Sequence, residues 1–176
     1  MRMGEPQPPP DEPDPEGPAW LLSKAWQGSE LVVWAAHGGA GATTLATWLQ
    51  PAWDMSPARP RTHPRYPGTV AAGRPLIIAC RPTAMAARAA TIAVAAVTRA
   101  GLRATVLAII SDGWPEPPVA TARFRLLEPQ AEAVVRIPFV PGLRLADDPA
   151  TVALPRRVIR ALDQIRSAIG RPPLIR

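Results

Sequence analysis

The 176-residue chain is long enough for one domain with a buried core and additional terminal segments. Apolar residues make up 47% of it, as in water-soluble proteins, whereas its 24 prolines are unusual. No apolar run approaches the ~18 residues that a membrane span needs, and the acidic start is unlike a signal peptide. The single cysteine, Cys80, has no partner for an internal disulfide. These features predict a cytoplasmic protein without a membrane span.

The net charge of +6 raises the question of nucleic-acid binding. Lys24 is the only lysine, so almost all of the positive charge comes from arginine, and the arginines are scattered along the chain. Arginine, alanine and proline together are also typical of GC-rich coding sequences. A nucleic-acid partner is therefore kept as an alternative and not as the leading prediction.

The terminal segments differ in composition from the rest of the chain. Residues 1–17 combine repeated prolines with five acidic residues and almost nothing apolar, which predicts a disordered acidic tail. Residues 18–26 contain two tryptophans and two leucines and are predicted to form a short helix, with Pro18 in its first turn. Residues 18–170 are assigned to the folded domain and residues 171–176 to a flexible tail.

The first regular element of the domain is a continuous apolar run over 31–36, typical of a strand that is covered on both faces. It leads into a glycine-rich turn over 37–42 and a predicted helix over 43–49, which Pro51 ends. Residues 51–74 contain several prolines and arginines without periodicity, and this predicts a long loop.

Regular elements resume at residue 75. Strands are predicted at 76–80, 105–110 and 133–137, and helices at 84–100, 119–127 and 155–169. Thr83 is the expected N-cap of the helix over 84–100, and Gly101 is its expected end. Four apolar side chains of this helix are predicted core residues: Met85, Ile92, Val94 and Val97.

The alternation of short apolar strands with helices predicts the fold class. It indicates an α/β fold of the P-loop type, with three α/β/α layers and a short, mainly parallel sheet of four to five strands. The crossovers between parallel strands are expected to be right-handed, with helices on both faces of the sheet.

The turn after the first strand has the local architecture of a phosphate-binding loop. Glycines let successive backbone N–H groups turn inward around a phosphate, and the helix dipole adds positive potential. The residues predicted to bind a phosphate or nucleotide are His37, Gly38, Gly39, Ala40, Gly41, Ala42, Thr43 and Thr44. The alternative is a tight strand-to-helix connection that binds no ligand.

This loop resembles the deviant Walker A loop of the MinD/ParA family of P-loop ATPases, which reads lysine-Gly-Gly-x-Gly-lysine-Thr-Thr. Later segments agree with the family in order. Residues 76–83 resemble the strand and helix start after the Walker B position, residues 105–112 the strand that ends in an adenine-contacting asparagine, and residues 136–149 the late isoleucine-proline and leucine-arginine segment. The likeness covers roughly residues 30–170. The loop is also similar to the Gly-Gly-Ala-Gly-Ala loop of small uncharacterised bacterial proteins.

The departures from the family pattern concern the catalytic residues. His37 and Ala42 replace the two lysines, and no apolar strand is expected to end in a Walker B aspartate. Ser111 and Asp112 stand where the asparagine would be. Because phosphoryl transfer depends on electrostatic stabilisation of the transition state, we expect no catalysis by the chain alone.

Few side chains are available to replace the lost charges. His37 would add positive charge only when protonated. Asp54 is the only acidic residue in the region where the Walker B strand would lie. Several arginines are candidates for contacting an anion: Arg59, Arg61, Arg65 and Arg81.

The resemblance implies a degenerate MinD/ParA-like protein that acts as an adaptor or regulator through protein contacts, with at most weak binding of ATP or ADP with Mg. The expected partner is a protein, either a MinD/ParA-like relative or a secretion or conjugation assembly, and a homodimer is a further expectation. Two alternatives stay open. One is a nucleotide-binding ATPase that is active only within a complex, and the other is an accessory protein that binds DNA through arginines.

Cysteine and tryptophan are the other residue types of interest. Cys80 lies in an apolar run and is predicted to be a buried small residue rather than a nucleophile. Exposed tryptophans would make interface anchors. The candidates are Trp20, Trp26, Trp48, Trp53 and Trp114.

Overall fold

The computed structural model describes residues 30–55 and 73–170. The predictions made for residues 1–17, 18–26 and 171–176, and for most of the loop over 51–74, lie outside these residues. Within the described ranges, no helix has the length and apolar character that a bilayer crossing needs.

The core of the structure is a parallel sheet of five strands. The strands are Leu31–Ala35 (β1), Ala52–Asp54 (β2), Leu76–Cys80 (β3), Ala104–Ile110 (β4) and Ala131–Ile137 (β5). Every neighbouring pair is parallel, and the spatial order is β2-β1-β3-β4-β5. The predicted α/β class with a parallel sheet of four to five strands is confirmed.

Helices cover both faces of this sheet. They are Ala42–Trp48 (α1), Ala84–Arg99 (α2), Pro118–Leu127 (α3) and Arg156–Ala168 (α4). Helices α1 and α4 contribute to the core on one face, and α2 and α3 to the core on the other. All five residues of β3 are buried, which explains why this strand has a continuous apolar sequence rather than an alternating one.

Strand β2 lies inside the segment predicted to be a loop, so the prediction for 52–54 is wrong. The strand pairs with β1, with Val33 opposite Asp54, at the edge of the sheet. Because it has only three residues, no periodic pattern marks it in the sequence. It ends in Asp54, the acidic residue that the sequence places in the region of the Walker B strand.

Helix α2 begins and ends as predicted. The Thr83 side chain accepts a hydrogen bond from the Ala86 N–H at 3.2 Å, and Gly101 follows the helix with a φ of 73°. The Leu102 N–H donates to the Val97 carbonyl at 3.1 Å, which closes the last turn.

The core prediction for this helix is only half right. Val94 and Val97 are buried, but Met85 is 74% exposed and Ile92 is 58% exposed. The helix is apolar on almost every side, and the sheet covers only one side of it. Periodicity alone therefore does not distinguish its buried face from its exposed apolar flank.

Helix α3 provides a test of how strongly the core on the α2–α3 face of the sheet is packed. Phe124 is fully buried, whereas Leu126 on the same helix is 73% exposed. We predict that Phe124→Ala lowers the free energy of unfolding by about 3–5 kcal/mol because it leaves a cavity. Leu126→Ala should change it by less than about 0.5 kcal/mol. Urea unfolding of both variants checks the prediction, and equal losses would contradict it.

Candidate functional site

The glycine-rich turn connects the carboxyl end of β1 to α1. Two of its glycines have positive φ angles, 74° at Gly39 and 86° at Gly41, which L-amino acids with side chains adopt at a cost. The Ala40 N–H donates to the His37 carbonyl at 3.3 Å and tightens the turn. Gly38 and Gly39 are exposed, so the tip of the turn faces solvent.

His37 connects this turn to the end of β3. Its Nε2 atom accepts a hydrogen bond from the backbone N–H of Arg81 at 3.1 Å. Its Nδ1 atom lies 2.8 Å from the Gly38 carbonyl oxygen, so Nδ1 carries the proton and donates it. In this arrangement the imidazole is neutral. His37 thus has a positioning role in the turn and supplies no positive charge to it.

The positive charge next to the turn belongs to Arg81, the first residue after β3. Its Nε donates to the Gly39 carbonyl at 2.9 Å, and its Nη1 donates to the Ser111 carbonyl at 3.2 Å and lies 3.5 Å from the Ile110 carbonyl. One planar guanidinium therefore bridges the turn after β1 and the end of β4. We call this set of hydrogen bonds the Arg81 bridge. The sequence identified Arg81 only as one of several candidate arginines.

A cleft of about 360 Å³ opens beside the Arg81 bridge, at the carboxyl ends of the strands. Parallel α/β sheets bind their ligands at this edge. Its lining includes the side chains of Thr44 and Trp48 from α1, and of Asp112, Phe139 and Arg144 from the segments after β4 and β5. A volume of this size suits a small molecule rather than a folded partner.

The eight residues predicted to bind phosphate are only partly gathered at this cleft. Gly41 and Thr44 line it. The side chain of Ala42 is buried in the core, and Thr43 is exposed. The remaining four residues, His37, Gly38, Gly39 and Ala40, form the turn next to the cleft and are not among its lining residues.

Charges of both signs line the cleft. Arg81 and Arg144 contribute two guanidinium groups, and Asp112 and Asp147 contribute two carboxylates. The Arg144 guanidinium lies over the Phe139 ring at 4.8 Å and donates to the Asp112 backbone carbonyl at 3.4 Å. The sequence did not identify Phe139 as a site residue, because only the fold brings the segment after β5 beside α1.

The described residues do not fit a catalytic Mg·ATP site. The loop has no lysine to contact the β- and γ-phosphates, and no group of three or more His, Cys, Asp or Glu residues within the described ranges could hold a metal ion. Asp54 pairs with Val33, two residues before the end of β1, and therefore lies below the level of the turn. We derive no catalytic step through a metal or nucleotide.

Cys80 lies in the apolar core beneath α2 and α3, near enough to Glu116 and Arg136 for their charges to influence its pKa. The thiol is buried, and its pKa is raised to about 12 by burial and by the nearby Glu116 carboxylate. Glu116 itself forms a two-point hydrogen-bonded pair with Arg136 at 3.0 and 3.1 Å, which holds its pKa below the ordinary value of 4.5. Cys80 is therefore a protonated thiol at neutral pH. The prediction that it is a buried small residue is confirmed.

The chain matches no protein-family model, no curated protein and no solved structure. The MinD/ParA resemblance therefore stays a prediction that depends on the loop and on the order of the later segments.

The Arg81 bridge predicts a stability effect. Hydrogen bonds to charged groups contribute about 1.5–3 kcal/mol, so Arg81→Met should lower the free energy of unfolding by a similar amount. Arg88→Met is the matched control because Arg88 is exposed on α2, and it should change stability by less than about 0.5 kcal/mol. Urea unfolding tests both variants. A loss no larger than that of the control would show that the bridge does not hold the turn.

The backbone of the turn predicts a difference between two of its glycines. A Cβ at Gly41 would lie 3.1 Å from the Ile110 Cδ1 atom in a left-handed backbone conformation, so Gly41→Ala should cost about 1–2 kcal/mol. A Cβ at Gly38 meets nothing within 4 Å, and Gly38→Ala should be neutral within about 0.5 kcal/mol. Thermal unfolding of both variants checks this prediction. Equal losses of stability in Gly41→Ala and Gly38→Ala would show that the turn adapts to a side chain at position 41.

Proposed function

We propose that the chain is a catalytically degenerate protein of the MinD/ParA type that acts as an adaptor or regulator through protein contacts. It binds nucleotide or phosphate weakly at most. The observation that carries the proposal is the hydrogen bond from Arg81 Nε to the Gly39 carbonyl.

A phosphate-binding loop works when its backbone N–H groups and a lysine face the anion. Here the cation beside the loop comes from β3, and it donates to main-chain carbonyls at the turn and at the end of β4. To bind a phosphate with its Nε and Nη1 donors, Arg81 would first have to release these carbonyls. The bridge therefore favours a turn with a structural role over one that binds phosphate tightly.

The surface supports the part of the proposal that concerns protein contacts. Large apolar side chains that are exposed by more than half of their area are normal when single, but anchors of protein interfaces are drawn from this class. The described surface includes Met85, Ile92, Trp114, Val119, Leu126 and Leu145. Trp114 is 76% exposed and borders a second pocket of about 200 Å³. A MinD/ParA-like relative, a second copy of the chain and a larger assembly are the candidate partners.

A second candidate function is nucleotide binding that requires a partner. The observation that favours it is the cleft, because Arg81, Arg144 and Thr44 line a cavity of about 360 Å³. Both guanidinium groups already donate to backbone carbonyls, so the chain alone would bind an anion there only weakly. A partner that contributes cations could then complete a site that the chain alone lacks. In that case the purified chain would bind nucleotide weakly and in an arginine-dependent manner.

The nucleotide question is tested by thermal unfolding of the full chain with ATP, ADP and GTP, with and without magnesium. A ligand present at a hundred times its dissociation constant stabilises a fold by about 2.7 kcal/mol. We expect no such stabilisation with millimolar nucleotide. Ala42→Lys restores the loop lysine and serves as the comparison, but its stability must be measured first because Ala42 is only 2% exposed.

The outcomes separate the two functions. Clear stabilisation of the natural protein that disappears in Arg81→Met and Arg144→Met would contradict the proposal and favour a nucleotide-binding protein. Stabilisation of the Ala42→Lys variant alone would support the proposal, since it would show that the loss of the lysine abolished binding. Hydrolysis of ATP by the natural chain would refute it directly.

A further inference from the structure

The α2–α3 face of the sheet is covered unevenly. Helix α2 packs on β3 and on α3. The core that the two helices share with the sheet takes several buried residues from β3 and β4, Ala131 from β5 and Val32 from β1. Two tryptophans, Trp34 on β1 and Trp53 on β2, pack at the border of this core and stay partly exposed. Met55, directly after β2, has the same intermediate exposure. Apart from the buried Val32, the described residues on this face of β1 and β2 therefore stay partly exposed.

The exposed apolar side chains of α2 face the same region. Right-handed crossovers from β3 to β4 through α2 and from β4 to β5 through α3 place α3 on the β5 side of α2. Residues seven apart lie on one side of a helix, so Met85 and Ile92 share a flank. Successive residues of a helix are rotated by about 100° around its axis. Because the buried residues of α2 face the sheet, Met85 and Ile92 face solvent on the side of α2 that is nearer to β1. We call the surface formed by Trp34, Trp53, Met55, Met85 and Ile92 the tryptophan groove.

The rim of the tryptophan groove is positively charged. Arg88 and Arg99 are exposed on α2, and the sequence of α2 contains no acidic residue. The Arg74 guanidinium lies 4.7 Å from the centre of the Trp53 ring, but its side chain is 7% exposed and is paired with the Glu30 carboxylate at 4.0 Å. The positive charge of the rim therefore comes from Arg88 and Arg99. An apolar groove with a cationic rim suits an occupant that combines large apolar side chains with acidic residues.

We propose that residues 18–26 of the same chain dock in the tryptophan groove. This segment contains Trp20, Leu21, Leu22 and Trp26, and five acidic residues precede it within 1–17. Its apolar side chains complement the groove. The complement to the arginines comes from the acidic residues that precede it, because the single charged residue of the segment itself is Lys24. The proposal is independent of any ligand at the glycine-rich turn.

The length of the chain allows this docking. Residue 26 is separated by three residues from Glu30, which leads into the amino end of β1. The twelve residues over 18–29 span up to about 40 Å when extended. Neighbouring strands are about 4.8 Å apart, and a helix axis packs roughly 10 Å from the element beneath it, so the groove is within reach.

Two other occupants fit the groove less well. Residues 56–72, which connect β2 to β3, contain only Tyr66 and Val70 as large apolar residues, and they add three arginines beside a rim that is already cationic. A second copy of α2 would place Arg88 and Arg99 near their own counterparts. Both arrangements bring like charges together, which opposes association.

Paramagnetic broadening of tryptophan indole N–H signals tests the docking in the full chain. A spin label is attached to Thr91→Cys on α2, and the matched control carries it at Arg160→Cys on α4, which covers the other face. Cys80 is buried with a pKa of about 12 and does not compete for the label. We expect the signals of Trp20 and Trp26 to broaden with the label at position 91 and not with the label at position 160.

Two further experiments identify which segment occupies the tryptophan groove. In the labelled Thr91→Cys protein, Ile92→Asp adds a negative charge at an exposed position of the groove and should restore the Trp20 and Trp26 signals, whereas Leu126→Asp on α3 should leave them broadened. Unlabelled isotope-enriched chain mixed with spin-labelled chain should show no broadening. Equal effects from both label positions, or no effect from either, would overturn the proposal. Broadening in the mixed sample would overturn it in favour of docking between two copies.

Discussion

The arrangement of the candidate site depends on the Arg81 bridge. Arg81 follows β3, the central strand of the sheet, so its backbone lies between the turn after β1 and the end of β4. From this position its side chain reaches carbonyl groups of both neighbours, and its own N–H reaches the ring of His37. The bridge joins the Gly39 and Ser111 carbonyls through one guanidinium group at the carboxyl edge of the sheet. The cleft beside it is bordered by the same guanidinium.

The Arg81 bridge distinguishes the glycine-rich turn from a working phosphate-binding loop. In a working phosphate loop the glycines bring N–H groups and a lysine to an anion, and the loop residues carry the positive charge. In this chain the positive charge is that of Arg81, which follows the neighbouring strand β3. Its hydrogen-bond acceptors are backbone carbonyl oxygens. The same backbone conformations at Gly39 and Gly41 therefore fit a strand-to-helix connection that the rest of the sheet holds in place.

The helices cover the two faces of the sheet to different extents. On the α1–α4 face, residues from both helices contribute to one core with all strands except β2, whose Ala52 packs at its border. On the other face the helices share a core with β3, β4, β5 and Val32 of β1, and Trp34 and Trp53 remain at its border. A parallel sheet with apolar strands needs cover on both faces. The exposed flank of α2, with Met85 and Ile92, belongs to the same incompletely covered face as Trp34 and Trp53.

Most of the fold was predictable from the sequence because its strands and helices are apolar in continuous or periodic runs. The strand over 76–80 was predicted with its observed limits, and α2 was predicted with its cap at Thr83. Strand β2 was missed because three residues carry no period. Met85 and Ile92 were misplaced because a helix that is apolar on nearly every side does not reveal which side meets the sheet.

The sequence by itself determined the class of fold, the place of the glycine-rich turn after β1 and the absence of both loop lysines, since these depend on local composition and order. Only the tertiary structure decided which arginine lies beside the turn, that the His37 ring is used by the Arg81 backbone, and that Phe139 and Arg144 close the cleft with Thr44. The residues brought together in this way lie 42 to 100 positions apart in the chain. Such contacts depend on the spatial order of the strands, which no local pattern in the chain encodes.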